Sequence, residues 1–128
     1  MANRRLNQFQ YSYERDVVSI YAAVTFGAAG APTLGPLVPK GVKSVVRLSA
    51  GDFVITLQDS FNKLLMLDTR FQNAAGIPST GIVGIKANNV SSATAPSIEI
   101  VMTAGGVATD PAVGDIVYIK MVCRNAST

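Results

Sequence analysis

Eight carboxylates are the only residues in this sequence numerous enough to do acid–base or metal chemistry: Glu14, Asp16, Asp52, Asp59, Asp68, Glu99, Asp110 and Asp115. Histidine is absent, which removes the commonest general base and the commonest metal ligand together. A Ser-His-Asp triad is therefore excluded. With Cys123 as the only cysteine, neither a cysteine-rich zinc site nor an intrachain disulfide can be assembled. A glycosidase-type pair would need two carboxylates about 5–9 Å apart in a cleft, a distance that only the fold can set. Asp52, Asp59, Asp110 and Asp115 sit in turn-like contexts, where the short carboxylate caps its own backbone, so they read as turn residues. No D-x-D-x-D-G calcium loop is present. Gly27-Ala-Ala-Gly30 and Gly105-Gly106 are not followed by the lysine and helix of a phosphate loop. The expectation is a protein that is not an enzyme, with no catalytic, metal or cofactor-binding residues and no cofactor.

Composition points the same way. Charged residues are 15% of the chain, against about 25% in typical soluble domains, and apolar residues are 48%. An isolated monomer is kept in solution by a better-charged surface than this, so part of the surface is expected to be covered by other protein. The net charge of +3 is mild, and apart from Arg4-Arg5 the basic residues are scattered. A nucleic-acid binder would cluster them on one face with interleaved aromatics, so no nucleic-acid partner is expected. No run of about 18 apolar residues occurs, and no membrane partner is expected. The segment MANRRLNQFQYSYERD lacks the apolar core of a secretory signal. Cys123 closes an apolar strand and reads as a small buried hydrophobe made in a reducing compartment.

The elements that must position these residues are strands. Residues 1–16 form a separate zone in which Phe9, Tyr11 and Tyr13 alternate with Gln8, Gln10, Ser12 and Glu14. That period of two reads either as a first strand or as an arm whose aromatic face docks on a neighbour. Residues 17–128 read as a single β domain. VVSIYAAVTF, Val17 to Phe26, is β-branched and apolar on both faces, as in a strand covered on two sides. Gly27 to Gly41 is dense in glycine and proline and reads as a long loop, either crossing the end of the domain or extended over a partner. Ser44–Leu48 and Phe53–Leu57 flank SAGD, the clearest hairpin, with Gly51 as the turn residue free to take positive φ. A strand from Leu64 to Gln72 puts Leu65, Leu67, Thr69 and Phe71 on one face; its rival is a capped helix over Ser60–Asp68, disfavoured by the following TRFQ. Ile82–Lys86 and Ser97–Thr103 are further strands, the latter with Ile98, Ile100 and Met102 inward. Asp115–Cys123 has no polar face and reads as a central strand. The fold class expected is all-β: a single-domain antiparallel β-sandwich or jelly-roll-like barrel of about seven or eight strands with an N-terminal arm.

The hairpin pattern formed by Gly41, Val42, Ser44, Val45, Arg47, Gly51, Phe53, Ile55 and Leu57 resembles one found in bacteriophage structural proteins. The arm MANRRLNQFQYSYERDV, the Gly/Pro loop, the DSFNKLL strand and the TDPA turn are similar to those of small tailed-phage virion proteins. The resemblance covers most of the chain, and its motifs are structural; it carries over no catalytic residue. It implies a capsid decoration, or cement, protein that binds the assembled major capsid lattice, self-associates as a dimer or trimer, and sits on the outer surface of a virion made in the host bacterial cytoplasm. The contact residues expected are Arg4, Arg5, Phe9, Tyr11, Tyr13 and Arg15 in the arm, then Leu34 and Leu37 in the loop. The alternative is a tail, head-fibre or spike component that binds a host receptor through loops 73–81, 87–96 and 104–114.

Overall fold

A computed structural model of the chain describes residues 17–36, 39–76 and 82–125. They form nine strands: β1 (Val17–Phe26), β2 (Pro32–Leu34), β3 (Val42–Ser49), β4 (Asp52–Leu57), β5 (Lys63–Gln72), β6 (Ile82–Asn89), β7 (Ser97–Ala104), β8 (Val107–Ala108) and β9 (Ile116–Arg124). They pair into two antiparallel sheets. The first runs β2-β1-β9-β5 and the second β3-β4-β7-β6, with the short β8 folded back on β7. The protein is all-β, with the core between the two sheets.

Alternation decides what the core contains. In β4, Phe53, Ile55 and Leu57 face inward at 0%, 1% and 1% exposure, and in β7 Ile98, Ile100 and Met102 meet them at 0%, 1% and 0%. The first sheet answers with Ile20, Ala22, Val24 and Phe26 from β1 and Val117, Ile119, Met121 and Cys123 from β9. Phe26 and Phe53 join the layers edge to face, 5.1 Å between centroids. Burying each such ring contributes about 2–3 kcal/mol. β9, paired on both sides, is the centre of its sheet, its inward row wholly apolar and its outward row carrying Tyr118 and Lys120.

Several details depart from the sequence-based expectation: β6 runs on to Asn89 and β8 forms at Val107–Ala108, inside the stretches 87–96 and 104–114 expected as loops. Residues 27–41 are not wholly loop: a 3₁₀ turn (Ala28–Gly30) precedes β2. β2 carries its proline at its first position on the sheet edge, where a missing N–H costs nothing. Leu65 is not on the core face. A bulge between Leu64 and Met66 hands that face to Leu64, Leu67 and Phe71. β1 is not covered on two sides throughout: Val17, Val18, Ser19 and Tyr21 are exposed.

Candidate functional site

The arm residues Arg4, Arg5, Phe9, Tyr11, Tyr13 and Arg15, and Leu37 of the loop, lie outside the described residues. Leu34 is in β2, half-buried and packed against the core. Gly51 closes the β3–β4 turn at φ +70°, and a Cβ there would lie 2.5 Å from the Met102 carbonyl and 2.6 Å from the Thr109 nitrogen. Only glycine lets β7 and the strand-end chain beyond β8 pass that close.

Among the described residues, Asp52, Glu99, Asp110 and Asp115 are spent on architecture. Asp110 accepts from Arg47 Nε at 3.0 Å and Nη2 at 2.8 Å, and from the Gly51 backbone N–H at 2.9 Å. Its carboxyl rests on Gly30, where an added Cβ would fall 2.6 Å from it. One side chain thus gathers the 3₁₀ turn, the β3–β4 turn and the loop after β8. The Arg47 hydrogen bond holds the Asp110 carboxyl below the ordinary carboxylate range, against partial desolvation, with help from the Gly51 N–H. Asp115, 1% exposed, accepts from the Ala112 and Ala74 N–H groups at 3.0 Å each and from Asn73 Nδ2 at 3.1 Å. It ties the loop before β9 to the loop after β5. On the outer face of the second sheet, Lys86 bridges Asp52, at 2.5 Å, and Glu99, at 3.0 Å, and both contacts raise its pKa. The lysine thereby joins β4, β6 and β7 across this face, while the other Asp52 oxygen, Oδ1, is buried without a hydrogen-bond partner among the described residues. Asp59 lies exposed in the bend after β4.

The outward rows have a different character. On the first sheet, Tyr21, Lys120 and Asp68 stand in one cross-strand row, and Tyr118 and Arg70 in the next. Together they line an open groove of about 200 Å³. Lys120 Nζ lies 5.8 Å from the Tyr21 ring centroid, a cation–π distance, and the Tyr118 hydroxyl donates to Gln72 Oε1 at 2.9 Å. Met66 continues this face at 47% exposure, and Tyr21 is 59% exposed. On the second sheet, Val46 and Leu48 project from β3, 52% and 56% exposed. Each sandwich face therefore presents apolar side chains outward. The sequence concealed this surface because β1 and the first half of β9 carry apolar side chains on both sides, so their outward rows look like core. The available signal was Tyr21 and Tyr118 opposite in phase to Ile20–Ala22–Val24 and Val117–Ile119.

Among the described residues no three acidic, histidine or cysteine side chains are placed to share a metal ion, and no helix is long and apolar enough to cross a membrane. No family model, curated protein or solved structure matches this chain.

Proposed function

We propose that the chain is a bacteriophage virion structural protein of the capsid decoration, or cement, type, which binds the assembled major capsid lattice and bridges its capsomers. The observation that carries this reading is apolar surface on both outer sheet faces of a charge-poor chain, with Asp110 and Asp115 holding its loops together. A β-sandwich so built is a rigid tile with two adhesive faces. Its work is thermodynamic: binding the assembled lattice and not its free subunits stabilises the lattice by mass action, about 2.7 kcal/mol per site at a hundredfold excess over Kd. Repetition over many sites adds to that through multivalency. The arm, with Arg4 and Arg5 at its tip, and the Leu34–Leu37 segment supply further contacts with capsid or with neighbouring copies. The chain has no part in catalysis on this reading.

The groove of Tyr21, Tyr118, Asp68, Arg70 and Lys120 favours a second reading, a tail, head-fibre or spike module, because its lining is mostly the apolar surface of rings and side-chain stems with a few charged ends, which suits a surface ligand. Cryo-electron microscopy of purified virions separates the two. Density for this chain at regular sites on the head is the expected result. Density confined to the tail or a vertex fibre would replace the cement reading with the attachment one, and absence from the particle would eliminate both.

A further inference from the structure

The two flanks of the sandwich are finished differently. At one flank β2 and β3 close the layers, with Val42 buried at 3%. At the other, β5 and β6 are the edges of their sheets, and β5 pairs only with β9 among the described strands. Leu67 and Phe71 of β5 oppose Met121 and Val117, so they face the interior, yet they are only half-buried. Ile85 of β6 opposes the fully buried Ile100 and so faces the interior too, yet it is 47% exposed. Core-facing apolar side chains thus remain accessible along this flank. Beyond its bulge between Leu64 and Met66, β5 runs regularly from Leu67 to Gln72, contains no proline, and does not turn a charged side chain inward. These are the features that make an edge accept another strand.

We propose that the free edge of β5 receives residues 8–14 of a second copy of this chain as an added strand. The segment has the alternation the site demands: Phe9, Tyr11 and Tyr13 on one side, and Gln8, Gln10, Ser12 and Glu14 on the other. Laid beside β5, the aromatic row covers Leu67, Phe71 and Ile85, and the polar row extends the outer face. Backbone pairing supplies the affinity and the alternating rings supply the register. The donor is a second molecule for a geometric reason. Val17 lies opposite Arg124, which lies opposite Lys63, so the chain enters β1 two strands inside β5. The lane beyond β5 is three strand spacings away, about 14 Å, while the three steps from residue 14 to 17 span about 10 Å. A chain's own Glu14 falls short of its own lane, and its own Tyr13 would reach that lane only with the chain from Tyr13 to Val17 drawn fully straight across the strand ends. This concerns association of the chain with itself and stands independently of the capsid reading.

The test uses the full chain, the full-length variant F9S/Y11S/Y13S and the variant Leu67→Lys. Sedimentation equilibrium is expected to give a mass of two or more chains for the parent and of one chain for both variants. Mixing the two variants is expected to restore association, because one keeps an intact β5 and the other an intact arm. Hydrogen exchange is expected to show β5 amides slowed at least about tenfold in the parent relative to the arm variant, about 1.4 kcal/mol of protection, with β3 amides unchanged. A monomeric parent, an arm variant that stays associated, or loss of association without a change at β5 would each overturn the proposal. Should Leu67→Lys lose its β circular dichroism, the exchange comparison decides alone.

Discussion

Asp110 shows how a residue of catalytic type is committed to structure. Its two oxygens take three hydrogen bonds from Arg47 and Gly51, and the third partner, Gly30, is packed so closely that no side chain fits between them. The pair is partly solvent-exposed, which lowers its worth below that of a buried ion pair. Asp110→Asn is expected to destabilise the protein by about 1 kcal/mol, lowering Tm by about 3–5 °C. The pH dependence follows from the depressed carboxyl pKa. The stabilisation is fully present above the ordinary carboxylate value near about 4 and is lost as pH falls through the lower folded-state value. Thermal melts of parent and variant should therefore differ at pH 7 and converge in strong acid. Gly51→Ala acts through the backbone. Positive φ costs a side chain about 1–2 kcal/mol, and the new Cβ must also push on Met102 and Thr109, which bond each other at 3.0 Å. A loss of about 3 kcal/mol in urea unfolding is expected.

At the scale of the element, β9 and β4 are the spines of their sheets. Phe53→Ala empties the inner face of β4 beside Phe26 and is expected to cost about 3–5 kcal/mol, read from the urea midpoint. Cys123 ends the inward row of β9 at 0% exposure, and burial raises the pKa of its thiol. Its reaction with a disulfide reagent at pH 8 should be slow in the native protein and should track global unfolding across a urea series, since it has no exposed route to thiolate. A fast native reaction would mean that the lower end of the first sheet opens independently. The bulge in β5 teaches a narrower lesson: period-two counting places Leu65 inward, but one extra residue shifts the phase, and Leu64 takes the position.

At the scale of the whole molecule the outer faces govern behaviour. Replacing Tyr21, Val46, Leu48 and Met66 together by lysine removes exposed apolar area without touching the inward rows. Stability is expected to change by less than about 1 kcal/mol, as is usual for surface sites. Solubility of the isolated chain should rise and, on the proposed cement reading, occupancy on purified capsids, read by gel densitometry after sedimentation, should fall sharply. Unchanged occupancy would show that the sheet faces do not touch the lattice.

Alternation and glycine placement determined the all-β class, the β3–β4 hairpin and the inward rows of β4 and β7, because these depend on neighbours one or two residues apart, and the lack of histidine excluded a histidine-based site. Tertiary structure alone decided the rest. Which acids pair was not legible: Arg47 and Asp110 are 63 positions apart, and Asp52 meets Lys86 only across sheet neighbours. Nor was the role of Asp115, whose hydrogen bonds join loops 41 and 42 positions distant. The split of β1 and β9 into core and surface rows also required the partner sheet, because an apolar side chain carries no mark of which side will be covered. That depends on which face the second sheet occupies, and strand order is set by pairings that local sequence does not encode.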